Sequence, residues 1–540
     1  MMPRRNSKPR LAAIDIGTNS VRLVVAEATG DGAFRILDEE KIVSRLGRGL
    51  ARTGTLDPRA MEDAVVAVAH LRTIAEGYNT DLLRAAATCA VREADNGQEF
   101  VERVLASSDT PIHVIPAEEE ARLAFLSVCR TFDLRGMNTL VADIGGGSTE
   151  VILSRGDVVE RLYALPIGAV RLTEQFGLGE RPNAEQYRVM RKHVRRMLKD
   201  KVGKPPINPQ LLIGTGGTFT NLGSMSIHRD ASGEDVLPFA VRGYELQRSE
   251  VKHTLDRIRK MTTRDRSRVP GLNPDRADII VAGLTIVEVL LKHFDVNQVR
   301  VSDKGVRAGM LYDMLESLGE TNEAPLVDRM LGVRQFASAC LDDQSHSHHV
   351  ARLSLQLFDE TAREFPVAGE ADADPGAAGW ATPANRELLH VAALLHDVGY
   401  LVNYSKHHKH SYHLILHSGL PGFSSTELEV VANIARYHRG AGPKPKHRNF
   451  ARLGEAQQDL VRRLGGILRL AVGLDRSHTR AVSDVHVRRC DGLTLVEILS
   501  ARHPSVELWG ADHKGRLFQR AFDTRVRFSW TPDESEVGEP

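Results

Sequence analysis

The sequence contains the stretch AIDIGTNS at residues 13–20 and a closely similar stretch, ADIGGGS, at residues 142–148. Each stretch follows a short apolar run and precedes another, at residues 21–25 in the first case and 151–153 in the second. Two apolar runs joined by a tight turn rich in Gly, Ser and Thr are typical of an antiparallel hairpin. Because the whole pattern repeats at a domain-sized interval, it predicts two duplicated lobes.

The two turns have the composition of a site for anionic oxygens. Gly17 and Gly145 allow unusual backbone dihedrals and a close approach to a ligand. The exposed amides and the Ser and Thr hydroxyls of these turns can then donate hydrogen bonds to phosphate oxygens. A purely structural turn is the alternative for either stretch alone. The repeat favours two hairpins that hold a phosphate between them.

The composition sets broad limits on the class of protein. The chain has 540 residues, enough for three or four domains, and 42% of them are apolar. Four scattered cysteines without CxxC spacing argue against a disulfide framework or a zinc ribbon and for a reducing compartment. No apolar run is long enough to span a membrane, and residues 1–10 are basic without the apolar core of a signal peptide. We therefore expect a cytoplasmic protein.

The chain divides by pattern into four predicted regions. Strand and helix patterns alternate up to residue 318, which predicts two α/β lobes at residues 1–136 and 137–318. Residues 325–482 follow a helical pattern and are rich in histidine. Residues 485–540 contain short alternating apolar runs, including one at 506–509, and predict a small β-rich subdomain.

Three further segments are expected to lack regular structure. Residues 365–383 are rich in Ala, Gly, Asp and Pro, which is typical of a flexible loop. The first ten residues and the acidic tail that begins at Asp533 are expected to be disordered.

The second hairpin offers the acids of a metal site. Asp143 at the end of one predicted strand and Glu150 at the start of the next lie on either side of the same turn. Two carboxylates so placed suit Mg²⁺, which prefers oxygen ligands. In the first hairpin, Arg22 stands where Glu150 stands in the second. One lobe would therefore supply a metal and the other a cation, an asymmetry that suits a bound phosphate chain.

Two other stretches carry candidate catalytic groups. Glu118, Glu119 and Glu120 open a predicted helix at 121–129, although acids also favour helix N-termini through the helix dipole alone. Arg92 lies on a helix that follows a strand ending in Thr88, where it could clamp phosphate oxygens or be an ordinary surface arginine.

Together these stretches resemble the exopolyphosphatase and guanosine pentaphosphate phosphohydrolase (Ppx/GppA) family. The resemblance rests on DIGTNSVRL at 15–23, on AT at 87–88 with VR at 91–92 and Asn96, on EEARL at 119–123, and on DIGGGSTE at 143–150. GTGGT at 214–218 and SDKGVRAG at 302–309 are similar to later motifs of the family. The resemblance implies the duplicated actin-like fold of Hsp70 and the sugar kinases, which agrees with the two hairpins.

The resemblance also assigns roles to matching positions. Glu120, directly before Ala-Arg-Leu, matches the catalytic base, although its neighbour Glu119 leaves that assignment open by one residue. Asp143 and Glu150 match acids that bind Mg²⁺ or another divalent cation. Substrate-binding positions are implied at Asp15, Gly17, Thr18, Asn19, Ser20, Arg22, Arg92, Gly145, Gly146, Gly147, Ser148, Gly216, Gly217 and Thr218. A homodimer is implied as well.

The helical region resembles the HD phosphohydrolase superfamily, whose histidines and acids bind a divalent metal. The matching residues are His346, His396, Asp397 and Asp475, and His410 and His438 could add ligands. In the longer exopolyphosphatases this HD-like domain often has a degraded metal motif, so a metal site and a structural or substrate-channel role both remain open. Other histidines, such as His407, His408 and His413, are expected to face solvent or cap helices.

The sequence thus predicts an exopolyphosphatase that releases orthophosphate from the end of inorganic polyphosphate. Hydrolysis of guanosine pentaphosphate (pppGpp) in the same site is the closest alternative. An ATP-dependent small-molecule kinase and a non-catalytic polyphosphate or nucleotide sensor are more distant ones. Basic clusters at residues 188–204 and 436–480 could guide a polyanion or be solvated faces. No nucleic-acid reader motif accompanies them, so neither a membrane nor a specific nucleic acid is expected as partner.

Overall fold

The computed structural model describes residues 8–29, 32–178, 180–230, 241–319, 329–365, 379–490 and 492–533. Most of the predicted loop at 365–383, most of the first ten residues and all but the first residue of the acidic tail lie outside these ranges. The chain forms two compact units, Met1–Val327 and Asp328–Pro540. Among the described residues, no helix is both long and apolar enough to cross a lipid bilayer.

The first unit contains two mixed β-sheets. Five of the described strands form the first sheet: β1 (Arg10–Ile16), β2 (Val21–Ala28), β3 (Phe34–Ile42), β4 (Leu82–Ala87) and β5 (Ile112–Val114). Their order is β3-β2-β1-β4-β5. The first three strands form an antiparallel meander, and β4 and β5 extend the sheet in parallel from β1.

The second sheet repeats this arrangement. Its described strands are β6 (Asn138–Ile144), β7 (Thr149–Arg155), β8 (Val158–Leu165), β9 (Leu211–Thr215), β10 (Glu245–Gln247) and β11 (Gln298–Val301). The order is β10-β11-β9-β6-β7-β8, so that β6, β7, β8, β9 and β11 correspond to the strands of the first sheet. The directions also correspond, and β10 is an additional antiparallel edge strand. The predicted mixed α/β duplication is therefore present.

Helices surround both sheets of the first unit. They are α1 (Leu50–Thr53), α2 (Pro58–Gly77), α3 (Cys89–Glu93), α4 (Gly97–Ser108), α5 (Ala117–Cys129), α6 (Ala169–Gln175), α7 (Ala184–Lys201), α8 (Gly217–Asp230), α9 (Arg248–Ile258), α10 (Thr263–Arg266), α11 (Ile280–His293) and α12 (Val306–Ser317). A 3₁₀ turn spans Pro274–Arg276. Helix α5 begins four residues before the predicted start at 121, which places the acidic triplet inside its first turn.

Helix α5 packs against both sheets. Ala121, Phe125 and Val128 on one face join a core with residues of β6, β7 and β9. Leu123 and Ala124 on another face join a core with β1, β2 and α12. The apolar residues of α5 therefore serve two cores, and this fixes the helix between the two halves of the unit.

Helix α12 corrects the predicted lobe boundary. The division at residues 136/137 assigns residues 306–317 to the second lobe, whereas the apolar side chains of α12 pack on the first sheet and on α5. The contact with α5 is so close that a Cβ at Gly309 would lie 2.0 Å from the carbonyl oxygen of Leu123. Sequence order does not indicate that α12, the last described helix of the unit, packs back on the first sheet.

The second unit is mainly helical. Its helices are α13 (Arg329–Cys340), α14 (Ser345–Glu364), α15 (Pro383–Leu395), α16 (His407–Leu416), α17 (Ser425–Arg436), α18 (Arg448–Ala451), α19 (Glu455–Leu474), α20 (Ser505–Lys514) and α21 (Arg516–Ala521). A 3₁₀ turn spans Val398–Leu401. Its described strands, β12 (Asp484–Cys490), β13 (Leu493–Ser500) and β14 (Arg525–Pro532), form one small sheet in the order β12-β13-β14.

The predicted β-rich subdomain at 485–540 is only partly correct. Residues 506–509, read as an alternating strand, lie in α20, where burial of Glu507, Gly510 and Ala511 follows the helical period. Helix α20 packs closely on α19, since a Cβ at Gly473 would lie 2.7 Å from the Cα of Ala511. The C-terminal segment is thus built onto the helical unit as an α/β extension.

We expect Gly309→Ala to destabilise the first unit. The added methyl group would overlap the backbone of α5, and overpacking of this kind costs about 1–3 kcal/mol. Thermal unfolding followed by circular dichroism should show a lower midpoint than for the unsubstituted chain. Gly77→Ala is the matched control, because a Cβ at Gly77 would have no neighbour within 4 Å. Equal midpoints for the two variants would contradict the close packing of α12 on α5 at Gly309.

Candidate active site

Two hairpin turns form the framework of the site. The β1–β2 turn is closed by a hydrogen bond from the Gly17 amide to the Ser20 carbonyl oxygen (3.1 Å), and the β6–β7 turn by one from Gly145 to Ser148 (3.0 Å). Asp15 is the cross-strand partner of Arg22 in the first hairpin. Asp143 is that of Glu150 in the second. The predicted pair of hairpins, with an Asp–Arg pair in one and an Asp–Glu pair in the other, is confirmed.

The reason for glycine in these turns differs from the expected one. Neither Gly17 nor Gly145 has a positive φ, so an unusual dihedral does not explain them. At these two positions an added Cβ would lie 3.3 Å from a carbonyl oxygen of its own turn, and the tighter spatial constraint lies at the next two glycines of the second turn, which pack against Thr18 and Cys89. A Cβ at Gly146 would lie 2.8 Å from the Cβ of Thr18, and one at Gly147 would lie 2.5 Å from the Sγ of Cys89. The glycines of the second turn thus let the first turn approach closely.

A cavity of about 170 Å³ lies between the two turns. Of the residues predicted to bind substrate or metal or to act as the base, those that line it are Asp15, Gly17, Thr18, Asn19, Ser20, Arg22, Glu120, Asp143, Gly145, Gly146, Gly147, Ser148, Gly216 and Gly217. Residues separated by more than 200 positions in the sequence thus meet around one small space.

Three predicted residues lie outside this lining. Arg92 instead donates hydrogen bonds to Glu120 Oε2 (3.1 Å) and to the carbonyl oxygen of Ile115 (2.8 Å). Thr218 is buried against α11, and Thr220 lines the cavity in its place. Glu150 is buried beside Asp143 on the neighbouring strand.

Helix α5 presents the carboxylate of Glu120 to the cavity. The residue is only 7% exposed. Burial raises its pKa to about 7, the charges of Asp143 and Asp15 act in the same direction, and Arg92 opposes the shift. A carboxyl group with a pKa near neutrality is suited to accept a proton during catalysis.

Glu119 has a different environment from Glu120. Its two carboxylate oxygens accept hydrogen bonds from Arg122 at 2.7 and 2.8 Å. Arg122 in turn contacts Asp313 on α12. Glu119 therefore takes part in an ion-pair network on the side of α5 that faces α12, whereas Glu120 faces the cavity. This geometry favours Glu120 over Glu119 as the base.

The carboxylates around the cavity are crowded. Burial raises the pKa of Asp143 to about 6, and it also raises the pKa of Asp15. Burial and repulsion by Glu120 and Asp143 raise the pKa of Glu150 well above its usual value. The Oε1 atom of Glu150 is buried without a hydrogen-bond partner among the described residues. Such a set of oxygen donors fits a divalent cation such as Mg²⁺, which would relieve the repulsion.

Arginines face these acids. Burial, followed by repulsion from Arg307, lowers the pKa of Arg22. Burial lowers the pKa of Arg276 to about 10, and Arg22 contributes to the shift. Like charges held so close together in a buried place indicate a site that receives an anion.

Arg276 and Arg307 were not among the predicted site residues. Arg307 lies within the SDKGVRAG stretch at 302–309, which is part of the family resemblance, so this motif could have predicted it as a site residue. No sequence motif pointed to Arg276. The 3₁₀ turn places its guanidinium group next to Gly217, so that a Cβ added at Gly217 would lie 2.0 Å from the guanidinium carbon of Arg276. A salt bridge between the neighbouring Asp275 and Lys41 of β3 (3.3 Å) helps to hold this turn.

Known proteins are similar to this chain over most of its length. Residues 23–318 match the model of the Ppx/GppA phosphatase family, and residues 329–500 match that of the Ppx/GppA phosphatase domain III. The chain is 25% identical over 472 residues to the guanosine-5'-triphosphate,3'-diphosphate pyrophosphatase of Pseudoalteromonas atlantica, with 87% of each chain covered. It is 26% identical to the protein of the same name from Vibrio campbellii, with 81% of this chain and 82% of the relative covered.

A solved structure extends the similarity to the fold. The exopolyphosphatase from Cytophaga hutchinsonii aligns with a TM-score of 0.53 and 26% identity, and the alignment covers 58% of this chain and 100% of that one. The family model spans more than half of the chain and includes Arg92, Glu120, Asp143 and Glu150. The chain therefore belongs to the Ppx/GppA phosphatase family, enzymes that hydrolyse phosphoanhydride bonds.

Proposed function

We propose that this enzyme is an exopolyphosphatase, which hydrolyses the terminal phosphoanhydride of inorganic polyphosphate and releases orthophosphate. The observation that carries the proposal is the position of Glu120. Its carboxylate, with a pKa near 7, lies at the wall of a small cavity that both glycine hairpins line. A base, a set of amide donors and a group of arginines are the components that phosphoryl transfer to water requires.

The cavity would hold the terminal phosphoryl group. Backbone amides and hydroxyls of the two turns, including Ser20 and Ser148, would donate hydrogen bonds to its oxygens. Arg22, Arg276 and Arg307 would offset its charge. These donors are fixed by the two hairpins before substrate arrives, so little reorganisation is needed during the reaction.

Glu120 would orient a water molecule and accept its proton. A bond forms between the water oxygen and the terminal phosphorus, while the bond between this phosphorus and the bridging oxygen breaks. The shortened chain leaves as the anion and the proton goes to Glu120. Asp143 and Glu150 would hold Mg²⁺, which when bound neutralises developing negative charge on phosphate oxygens.

A larger hollow beside the site supports a long polyanionic substrate. It has a volume of about 1370 Å³, and its lining contains three acids, Asp57, Asp63 and Glu174, and five arginines, Arg45, Arg48, Arg52, Arg59 and Arg171. Arg171 also lies 3.6 Å from the Sγ of Cys89, which lines the active-site cavity. A chain of phosphates leaving the cavity would meet this lining, in which arginines outnumber acids, whereas one nucleotide has fewer charges to place there.

Hydrolysis of pppGpp is the second candidate. The two curated relatives named above, which match this chain over more than four-fifths of its length, carry the name of that activity. The active-site cavity is smaller than the roughly 300–1,000 Å³ typical of pockets that enclose a small-molecule ligand. It would therefore hold only the terminal phosphates of either substrate, and specificity would depend on the surrounding surface.

The resemblance supports further proposals about the protein as a whole. The two sheets would be actin-like lobes, because they share strand order and direction. The helical unit would be an HD-like domain. The metal would be Mg²⁺, and the protein would act in the cytoplasm as a homodimer.

Glu120→Gln is expected to abolish most of the activity. The amide cannot accept a proton, and loss of a general base lowers kcat by about 10²–10⁴-fold. Phosphate release from long-chain polyphosphate should be measured with and without Mg²⁺. Glu119→Gln is the matched control and should keep most of the activity, since Glu119 pairs with Arg122. Full turnover by a folded Glu120→Gln protein would refute the proposed role.

The pH profile should report the ionisation of Glu120. Its base form is lost below about pH 7, so kcat/KM should fall about tenfold per pH unit on the acid side. Arg92→Gln removes a cation that lowers the pKa of Glu120, so the acid limb should move to higher pH. Arg92→Lys should move it less. Arg122→Gln is the control, and an unchanged midpoint in Arg92→Gln would contradict the coupling.

Substrate preference can be tested through the arginine-lined hollow. We expect the Arg48→Ala/Arg52→Ala double variant to lower kcat/KM at least tenfold for long polyphosphate and to change it little for pppGpp. Initial rates on both substrates provide the comparison, and Arg195→Ala, on the exposed face of α7, controls for loss of surface charge. A higher kcat/KM for pppGpp than for polyphosphate in the unsubstituted enzyme would favour the second candidate.

A further inference from the structure

One turn of the helical unit exposes three apolar side chains within four residues. Leu401 ends the 3₁₀ turn at Val398–Leu401, and Leu401, Val402 and Tyr404 are 59%, 55% and 70% exposed. The ring of Tyr404 stacks on that of Tyr400, with the ring centres 5.6 Å apart. Single exposed apolar residues are common on protein surfaces, whereas a group of them rimmed by polar residues points to an interaction site. Residues 398–404 are called the apolar turn below.

The base of the apolar turn is fixed by hydrogen bonds and close packing. The Ser411 hydroxyl accepts a hydrogen bond from the Gly399 amide (3.0 Å) and donates one to the His396 carbonyl oxygen (2.7 Å). The Nδ1 atom of His407 lies 3.0 Å from the Tyr404 carbonyl oxygen. A Cβ at Gly399 would lie 2.1 Å from the carbonyl oxygen of His407. The backbone therefore holds the apolar side chains outward.

The histidines near this turn differ from the expectation. His407 was expected to face solvent or cap a helix, but it is buried, with its Nε2 atom 3.3 Å from Asp397 and 3.2 Å from the Nε2 atom of His438. His410, one of the candidate ligands, is half-exposed. The residues that resemble the HD superfamily are buried or half-buried: His346, His396, Asp397 and Asp475. The exposed surface here is therefore formed by other residues.

The sequence around the apolar turn lacks acids over two long stretches. Residues 398–426 contain two lysines and no Asp or Glu, and residues 430–454 contain six Lys or Arg and no Asp or Glu. The two acids between these stretches are already paired. Glu427 lies 2.8 Å from Arg329, and Glu429 accepts a hydrogen bond from the Tyr412 hydroxyl (2.7 Å). Neither stretch thus contains an acid that could neutralise its basic residues.

The second basic stretch lies beside the apolar turn. The guanidinium carbon of Arg439 is 5.9 Å from the centre of the Tyr404 ring. A Cβ at Gly440 would lie 3.4 Å from the Nε2 atom of His408, so the segment that follows α17 runs next to the start of α16. The positive charge and the apolar side chains therefore share one face of the helical unit.

Four exposed lysines extend the positive charge of this face. Within the part of the chain that the structure describes, none of them forms an ion pair with an acid: Lys406, Lys409, Lys444 and Lys446. Burial lowers the pKa of His447, and the charges of Lys409, Lys444 and Lys446 act in the same direction. Three lysines from two separate segments thus lie close to one side chain, as expected for a continuous basic surface.

We propose that this face docks the protein on a lipid bilayer that contains anionic headgroups. Leu401 and Val402 would enter the edge of the hydrocarbon region, and Tyr404 would lie at the level of the headgroups, where tyrosine is enriched. The lysines and Arg439 would contact the anionic headgroups. The absence of a spanning segment gave no reason to expect a membrane partner, but docking on the surface of a bilayer requires no such segment.

The aliphatic residues favour a bilayer over a nucleic acid. A single-stranded nucleic acid would also be attracted by the basic residues, and one base could stack on Tyr404. Leu401 and Val402, however, provide neither an aromatic face nor a hydrogen-bond donor, and such a complex would leave them in water. A bilayer takes up the aliphatic, aromatic and basic side chains together, so it accounts for the whole face.

The first test is sedimentation of the full-length chain with lipid vesicles. Vesicles of one part phosphatidylglycerol and two parts phosphatidylcholine should bind it at least tenfold more tightly than phosphatidylcholine alone. The Leu401→Ser/Val402→Ser double variant should bind at least tenfold more weakly. The Lys444→Gln/Lys446→Gln double variant should do the same, since each basic residue near an anionic surface strengthens binding about fivefold. No binding by the unsubstituted chain, or unchanged binding by both variants, overturns the proposal.

Matched controls are available on the first unit. Val158→Ser replaces an apolar residue that is 62% exposed, and Arg195→Gln/Lys199→Gln removes two exposed charges of α7. Both should bind vesicles as the unsubstituted chain does. A loss as large as that of Lys444→Gln/Lys446→Gln would mean attraction by total charge alone and would refute the docking face. Phosphate release in solution should be the same in all these variants, so the result is independent of the proposed function.

Two further outcomes would assign the face to another partner. If Leu401→Ser/Val402→Ser changes the elution volume in gel filtration and leaves vesicle binding intact, the face is a contact between copies of this chain. If the unsubstituted chain binds a single-stranded oligonucleotide but not the vesicles, the partner is a nucleic acid. Either outcome overturns the proposal.

Fluorescence can locate the contact without a loss of binding. Tyr404→Trp places a fluorophore on the apolar turn, and its contribution is obtained by difference from the unsubstituted chain. Vesicles with phosphatidylglycerol should shift this emission to the blue, and brominated phosphatidylcholine should quench it. Val158→Trp should show neither change. Sedimentation of Tyr404→Trp with vesicles without a change in its emission would show that another surface contacts the bilayer, and this would refute the proposal.

Discussion

The first unit depends on the burial of carboxylates that repel one another. Asp143 and Glu150 are fixed side by side because they are partners on adjacent antiparallel strands. Glu120 is brought to them by α5, which cannot move freely because its apolar residues belong to two cores. The cost of burying these acids is offset by Arg22, Arg92, Arg276 and Arg307, and a bound divalent cation would offset it further. Stability and binding are thus linked through the same charges.

The duplicated sheets explain how one fold provides different chemistry at its two turns. The two sheets have corresponding strand orders, and their first hairpins are closed by the same type of glycine-to-serine backbone hydrogen bond. They differ at the cross-strand partner of the aspartate, which is Arg22 in one and Glu150 in the other. One turn therefore offers a positive group and the other a pair of acids. A phosphate between the two turns would be attracted by Arg22 on one side. On the other side it would be attracted by a metal ion held by Asp143 and Glu150.

The helical unit applies the same principle with different donors. A buried aspartate is surrounded by imidazoles whose outer nitrogens are held by carbonyl and carboxylate oxygens. The orientation of each ring is thus set by the backbone at the end or start of a helix, independently of any ligand. The first unit thus brings several carboxylates together, whereas the helical unit groups imidazole nitrogens around one buried carboxylate.

Much of this protein could be predicted from local sequence. The hairpins at residues 13–25 and 142–153, the helix that carries Glu120 and the close pairing of Asp143 with Glu150 follow from apolar periodicity and turn composition, which act over a few residues. The motifs also identified the family, because their combination is specific. What could not be predicted depends on long-range packing. Three features depend on contacts between residues far apart in the chain. Helix α12 packs on the first sheet, and Arg276 lies next to Gly217. Glu119 and Glu120 have different environments because Arg122 and Asp313 lie near the first and Arg92 near the second. The same holds for the burial of His407 beside His438, and for the helix at 506–509, where packing against α19 outweighs the local alternation. Local patterns show which face of a helix or strand is apolar. Which other element covers that face depends on contacts that form only when the whole chain packs.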